Sequence, residues 1–314
     1  MTRAEDAQSI ETTYLKNIRQ VTSGMAKAGE GYFSPDGKQI IYQAVPLDYP
    51  FYQIYTQPLT EDAVPRRLST GRGRTTCSFF SPDGKKILFA SSHLDPKLDE
   101  TEEAARQEDE ENKRLGRRPR YKWDFDPYMD IFEADLDGNI ERRLTKEPGY
   151  DAEGAYSTSG KLIAFCSDRD GDADIYLMNS DGSHVRQLTD AKGYDGGPFL
   201  SPDEKWIVFR SDRKVPEHLQ IYVIGVDGKH ETVLTDTNGV NWGPYWHPTA
   251  PYLIWSGADY SDPTARPNYD LWLAKYAVTD GKFTIEKPIR VTDSASADVL
   301  PVFSPDGKQL MWTS

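Results

Sequence analysis

The chain has 314 residues and a formal net charge of −13, an acidic surplus that argues against general binding to nucleic acid. Hydrophobic residues make up 37% and aromatics 12%, enough for several small cores, yet no apolar run approaches the ~20 residues that span a bilayer. Two cysteines, Cys77 and Cys166, are too few for a disulfide framework.

Residues 1–12 read as an N-terminal extension. Met1–Glu11 is polar and lacks an apolar h-region, so no signal peptide is expected here. From residue 13 to residue 314 the chain is an array. Ser-Pro-Asp-Gly stands at Ser34–Gly37, Ser81–Gly84 and Ser304–Gly307, with degraded copies between. Each copy opens on an apolar anchor: Phe33, Phe80, Tyr156, Leu200, Trp246 and Phe303. Eleven residues before each anchor stands Thr22, Ser69, Thr145, Thr189, Thr235 or Thr292, mostly ending an Arg-x-hydrophobic-Thr phrase such as Arg19-Gln20-Val21-Thr22. Matches at one fixed offset mean that the fold must be read from the repeat.

The clearest repeat, Gly149 to Thr189, reads as four strands: Ala152–Ser157, Lys161–Cys166, Asp174–Met178 and Val185–Thr189. Ser157–Gly160 and the Asp181-Gly182 pair supply its turns. In Ser-Pro-Asp-Gly, proline presets the backbone, aspartate bonds locally and glycine accepts the left-handed conformation. These residues are scaffold. Four antiparallel strands cannot bury two faces alone, but stacked radially each sheet covers the next. Six inner-strand signals therefore predict an all-β fold, a six-bladed β-propeller of four-stranded antiparallel blades. Residues 13–22 have no inner strand of their own and are expected to supply the outer strand of the last blade, for whose third strand the sequence offers no clear source.

Insertions fall between second and third strands, and once between third and fourth (Ala277–Pro288). The longest, 95–121, lies in the second blade. Its segment Asp99–Leu115 is strongly helix-forming, with Asp99 or Thr101 as the expected N-cap. It carries almost no apolar stripe, so a solvated charged arm is expected, either idle or docking a protein partner.

The phrases Phe-Ser-Pro-Asp-Gly-Lys-x-Ile, Ser167-Asp168-Arg169-Asp170-Gly171, Asp174-Ile175-Tyr176 and Arg186-Gln187-Leu188-Thr189 resemble the TolB-type, WD40-like propeller repeat, over about Asn17 to Ser314. The resemblance implies a periplasmic or exported propeller. TolB itself works in a cell-envelope complex with a peptidoglycan-associated lipoprotein and carries a smaller N-terminal α/β domain, for which only about a dozen residues precede the first phrase here. Similar propellers cap prolyl oligopeptidases, but no Gly-x-Ser-x-Gly elbow occurs in this sequence.

Five residues before the anchors stand Ala28, Thr75, Asp151, Asp195, Asn241 and Asp298. In this register they line the mouth of a central channel. Asp151, Asp195 and Asp298 could coordinate Ca2+ or another divalent cation there through oxygen ligands; the bland reading is that they cap turns. Asp168, Arg169, Asp170, Asp172 and Asp174 look like a calcium loop, but Asn179 stands where an EF-hand needs glutamate. The Asp-Arg pairs, Asp168-Arg169 and Asp212-Arg213, are expected to bridge neighbouring blades.

Trp123 and Tyr128, with Tyr49, Tyr52, Trp242, Tyr260 and Tyr269, could form an aromatic rim suited to a peptide or a glycan. The function expected is a non-enzymatic scaffold binding a protein or peptide partner, with no cofactor required and no catalytic residue assigned. A competing reading is a metal-assisted polysaccharide lyase or hydrolase using His93, Asp151, Asp195 and His218; a third is a carbohydrate-binding propeller.

Overall fold

The computed structural model describes residues 9–117, 125–262, 264 and 267–314. Its sheets follow the repeat. Blade 1 holds β1 (Lys27–Phe33), β2 (Gln39–Val45), β3 (Gln53–Pro58) and β4 (Arg66–Arg67). Blade 2 holds β5 (Thr75–Phe80), β6 (Lys86–Ser91), β7 (Asp130–Asp135) and β8 (Ile140–Arg143). Blade 3 holds β9 (Asp151–Tyr156), β10 (Leu162–Ser167), β11 (Asp174–Asn179) and β12 (Arg186–Gln187). Blade 4 holds β13 (Asp195–Leu200), β14 (Trp206–Ser211), β15 (Gln220–Gly225) and β16 (Thr232–Val233). Blade 5 holds β17 (Gly239–Trp246), β18 (Tyr252–Asp259), β19 (Asp270–Thr279), β20 (Lys282–Ile285) and β21 (Ile289–Arg290), with both β20 and β21 paired to β19. β22 (Val299–Phe303) and β23 (Leu310–Thr313) form a two-stranded sheet.

The described residues therefore form five complete blades, not the six expected from six inner-strand signals. The sixth signal yields only an inner pair. Residues 15–23 form no strand, and among the described residues no third strand stands beside them. The short sheet still closes the ring. Leu310 and Trp312 pack with Leu15 against Ile254, Leu271 and Val291 of blade 5, while Met311 packs with Val21 against Tyr42 and Tyr55 of blade 1. Between complete blades the same layering recurs, as where Ile41 and Ile54 of blade 1 meet Ile87 and Phe89 of blade 2. The apolar alternation of each sheet is spent on its neighbours.

The recurring phrases have distinct mechanical roles. At Ser34–Gly37, the Ser34 hydroxyl donates to Asp36 (2.6 Å), whose carboxylate accepts the Lys38 amide (3.1 Å), and Gly37 sits at φ 68°. The Thr or Ser at the fixed offset fastens the start of the third strand. Amides of Ile54, Ile131, Ile175, Ile221 and Leu271 donate to hydroxyls of Ser69, Thr145, Thr189, Thr235 and Thr292 at 2.8–3.0 Å. The arginine that opens the phrase latches the next blade. Arg66, Arg142 and Arg186 donate to the carbonyls of Leu136, Ser180 and Val226, each one residue past the next blade's third strand. Arg19 does the same to Leu59 (2.9 Å), which places residues 19–22 in an outer-strand position.

After a short helix near the start of the chain, α1 (Ile10–Tyr14), the insertion in blade 2 is helical as expected: α2 spans Leu98–Arg114. Neither Asp99 nor Thr101 caps it. Asp95 accepts the Lys97 amide (2.7 Å) and the Thr101 hydroxyl (2.8 Å) instead. Nor is the first half of α2 free in solvent, since Glu102 is buried beneath it, bound by Arg72 (2.9 and 3.0 Å) and by the Tyr49 hydroxyl. The basic tip Arg118, Pro119 and Arg120 lies outside the described residues.

Candidate functional site

Each inner strand is interrupted at one equivalent place. Pairing slips between Gly29 and Gly31, Thr76 and Phe79, Gly196 and Phe199, Trp242 and Tyr245, and Val299 and Val302, with the matching slip in β9. The residue three before each anchor takes a left-handed backbone: Glu30 (φ 27°), Cys77 (52°), Glu153 (58°), Gly197 (59°), Gly243 (58°) and Leu300 (56°). A bulge bends the strand and re-aims its side chain. Here it re-aims the side chains of Glu30, Cys77, Glu153 and Leu300, while glycine stands at the other two places.

One layer deeper, the residues just before the anchors make an aromatic floor. Tyr32 meets Phe79 at 4.8 Å between ring centroids and reaches across the ring to Phe199 (5.8 Å) and Tyr245 (6.1 Å). Phe199 and Tyr245 meet edge-on at 5.0 Å. Above this floor lies a charged layer. Arg210 on β14, only 7% exposed, donates to Glu153 (3.1 Å) and to the Tyr194 hydroxyl (2.7 Å). Glu153 also accepts from Tyr150 (3.2 Å), Tyr194 (2.9 Å) and the Gly197 amide. Glycine is required at 197: its φ is left-handed, and a Cβ there would lie 2.2 Å from the Arg210 guanidinium.

Glu30 is the second axial carboxylate and remains partly exposed. It accepts from the Tyr32 hydroxyl (3.0 Å) and faces the Cys77 thiol at 3.8 Å. Desolvation pushes its pKa up to about 6; Arg210 opposes the rise and Glu153 adds to it. Burial, then Glu30 and Glu153, hold the Cys77 thiol well above its usual range, so this cysteine is a neutral wall residue. Among the described residues the layer thus contains two carboxylates and one guanidinium, and Arg210 bonds Glu153 directly.

The residues proposed from spacing sit differently. Asp151 is buried and bound by Arg169 at 2.9 Å; Asp195 is buried and bound by Arg213. Desolvation raises the pKa of both, while Ser167 and Arg169, and Ser211 and Arg213, work against the rise. The Asp-Arg pairs therefore act within a blade, contrary to the bridging role expected. Asp168 and Asp212 likewise accept the Tyr150 and Tyr194 amides just before their own blades' inner strands (2.6 and 2.8 Å). Asp298 accepts from Trp312 (3.0 Å) and Ser294 (3.1 Å). Asn241 donates to Gln220 (3.0 Å) and Thr237 (2.7 Å) and accepts from Trp255 (2.9 Å). Among the described residues, the carboxylates brought within 4.8 Å of one another are Asp170, Asp174 and Asp190, not Asp151, Asp195 and Asp298. Burial pushes Asp174 up to about 7, against a hydrogen bond from Thr189 and with Asp195, Asp170 and Asp172 adding to the rise.

The aromatic rim divides into groups. Trp242 lies under Arg210 (5.8 Å) and edge-on to Tyr269 (6.2 Å); the Tyr269 hydroxyl meets that of Tyr260 (3.1 Å), and Tyr260 stands against His218 (5.7 Å). This group touches the axial layer through Arg210. Tyr49 belongs to the α2 clamp, and Tyr128 is 41% exposed just before β7 of blade 2. Trp123 lies outside the described residues. His93 packs on Phe132 at 4.5 Å, bonds Ser91 (3.0 Å), and has its pKa lowered by burial and then by Arg143. No helix among the described residues is long and apolar enough to cross a membrane.

Comparison with known proteins agrees with this architecture. A family model described as the TolB beta propeller domain matches residues 124–256. The putative TolB from Agrobacterium tumefaciens is similar in structure, with a TM-score of 0.62 at 22% identity over 92% of this chain and 91% of that one. TolB from Acinetobacter baumannii gives 0.54 at 21% identity over 85% of this chain and 58% of that longer one. An oligogalacturonate lyase from Vibrio parahaemolyticus gives 0.53 at 14% identity over 94% and 89%. At these identities the likeness establishes the fold. No match was found among curated proteins.

Proposed function

We propose that this chain, a propeller built on the TolB-type repeat, is a binding scaffold that takes a protein or peptide segment on its loop face and receives a cationic group of that segment at the axis. The observation that carries the reading is Glu30: a partly exposed carboxylate over an aromatic floor, in a layer whose guanidinium among the described residues, Arg210, already bonds Glu153. A lysine, an arginine or a free amino terminus would supply the missing positive charge. The neighbouring Trp242, Tyr269 and Tyr260 offer flat apolar surface beside it, suited to the rest of a peptide. The TolB likeness supports an exported or periplasmic setting for such binding.

The lyase reading has one point of support, the shared fold with the Vibrio enzyme. Its residues are otherwise engaged here: Arg169 and Arg213 bind Asp151 and Asp195, and His93 and His218 each pack on an aromatic ring. A carbohydrate-binding role would use the same aromatic group without Glu30.

The test is selection from a displayed random-peptide library, followed by affinity measurement on the wild type and on Glu30→Gln. Peptides sharing a cationic residue, and binding the variant at least about tenfold more weakly, support the proposal. Selected peptides that bind both proteins equally would overturn it. Release of unsaturated product from oligogalacturonate, followed by ultraviolet absorbance, would establish the lyase reading instead.

A further inference from the structure

The axial layer holds two glutamates at equivalent places, and they are provided for unequally. Glu153 and Glu30 each stand three residues before an anchor, at the bulges of blade 3 and blade 1. Glu153 accepts from four donors: the Tyr150 and Tyr194 hydroxyls, the Gly197 amide and the Arg210 guanidinium. Glu30 accepts from the Tyr32 hydroxyl and meets the Cys77 thiol at 3.8 Å, and among the described residues no ammonium or guanidinium bonds it.

Strand register accounts for the difference. Arg210 stands ten residues past the anchor Leu200 and pairs with Gly196. It reaches back to the glutamate of the preceding blade across Gly197, where a Cβ would strike its guanidinium. The same place in blade 2, ten residues past Phe80 and paired with Thr76, holds Ala90. Cys77 stands where that crossing needs glycine, and its amide, the counterpart of the Gly197 amide, donates to the Gln43 side chain (3.2 Å). These two places of blade 2 therefore bring Glu30 neither a cation nor an amide.

The bonded glutamate also shows how this layer holds a cation. One guanidinium nitrogen of Arg210 donates both to Glu153 (3.1 Å) and to the Tyr194 hydroxyl (2.7 Å), and the group lies over two rings, Tyr194 at 5.5 Å and Trp242 at 5.8 Å. Glu30 repeats the carboxylate and the tyrosine hydroxyl, and Tyr32 belongs to the floor that it shares with Phe79, Phe199 and Tyr245. Those three rings are only partly buried, so apolar surface stays open beside the carboxylate. The layer also sorts cations by how they bear desolvation. The burial that pushes the Glu30 carboxyl up presses an ammonium toward its neutral form, whereas a guanidinium keeps its charge and is more weakly hydrated. An ammonium needs acceptors for three N–H groups around one point, while a planar guanidinium lays its faces on rings.

We infer that the axial site is selective for a guanidinium, so that the residue of a partner segment received at Glu30 is arginine. The inference rests on the binding role proposed above and narrows its cation from three kinds to one. The incoming guanidinium donates to the Glu30 carboxylate and lies against the rings beside it, as Arg210 does at Glu153.

The experiment titrates the whole chain calorimetrically, at neutral pH, with short glycine-serine peptides capped at both ends. Each carries a single central arginine, lysine or citrulline, and one further peptide has none of these and a free amino terminus. The arginine peptide is expected to bind at least about tenfold more tightly than each of the others. Glu30→Gln, shown to stay folded by its melting temperature, should abolish that preference. A lysine or free-amino peptide that binds as tightly as the arginine one, and weakens on Glu30→Gln, overturns the choice of arginine and leaves the cationic role of the site standing. An arginine preference that survives Glu30→Gln puts the guanidinium elsewhere and overturns the inference too. Citrulline binding as well as arginine, or no binding by any of the peptides, removes both the inference and the role on which it rests.

Discussion

Neutralising Glu30 is the most direct probe of the axial layer. Its pKa rises from an ordinary 4.5 to about 6 because burial disfavours the charged form and Glu153 repels it, while Arg210 only partly compensates. The folded protein therefore holds this proton more tightly than the unfolded chain does. The stabilisation is fully present below about pH 4.5, declines as pH rises, and is lost once pH passes the folded value. A rise of about one and a half pH units, at about 1.4 kcal/mol each, makes the ionised carboxylate cost about 2 kcal/mol at neutral pH. Glu30→Gln removes the charge and keeps an acceptor for the Tyr32 hydroxyl. Urea unfolding of both proteins, from about pH 4 to about pH 8, should show the variant gaining about 2 kcal/mol on the wild type across that range. A stability difference that stays constant with pH would refute the reasoning, because it would mean that Glu30 titrates as an ordinary surface acid.

Arg210→Met leaves Glu153 buried without its cation and should cost about 3–5 kcal/mol in urea unfolding, with Glu153→Gln added to it recovering part of the loss. Thr189→Val removes the hydroxyl that holds Ile175 and Asp174, and should lower stability by about 1–3 kcal/mol; a neutral result would deny the fastening role of the repeat threonine. Removing divalent metals with a chelator should leave the melting temperature unchanged, since Asp151 and Asp195 have arginine partners. A fall of several degrees that calcium restores would show that an ion is held after all.

Much of the scaffold was legible from spacing. The anchors, the Ser-Pro-Asp-Gly turns and the fixed Thr located every inner and outer strand of the complete blades, because each has a local physical job that constrains its residue type. The helix in 95–121 was legible for the same reason, through propensity alone, whereas its clamp through Glu102 and Arg72 was not, since the contact is long-range. The axial residues were missed because counting back from the anchor assumes an unbroken alternation. A bulge breaks it, and so Glu30 and Glu153, three before the anchor, face the axis, while Asp151 and Asp195, five before it, turn to arginines of their own blades. A glutamate next to glycine, as in Gly29-Glu30-Gly31 and Glu153-Gly154, was the available signal. Arg210 had none, lying on a second strand where the pattern reads as ordinary core.

The rim latches bear on how the blades move. Arg66, Arg142 and Arg186 each tie the outer strand of one blade to the turn after the third strand of the next. A sheet hinged in this way cannot tilt outward without dragging its neighbour, so thermal motion should pass round the array as a shared tilt and not as the swing of a single sheet.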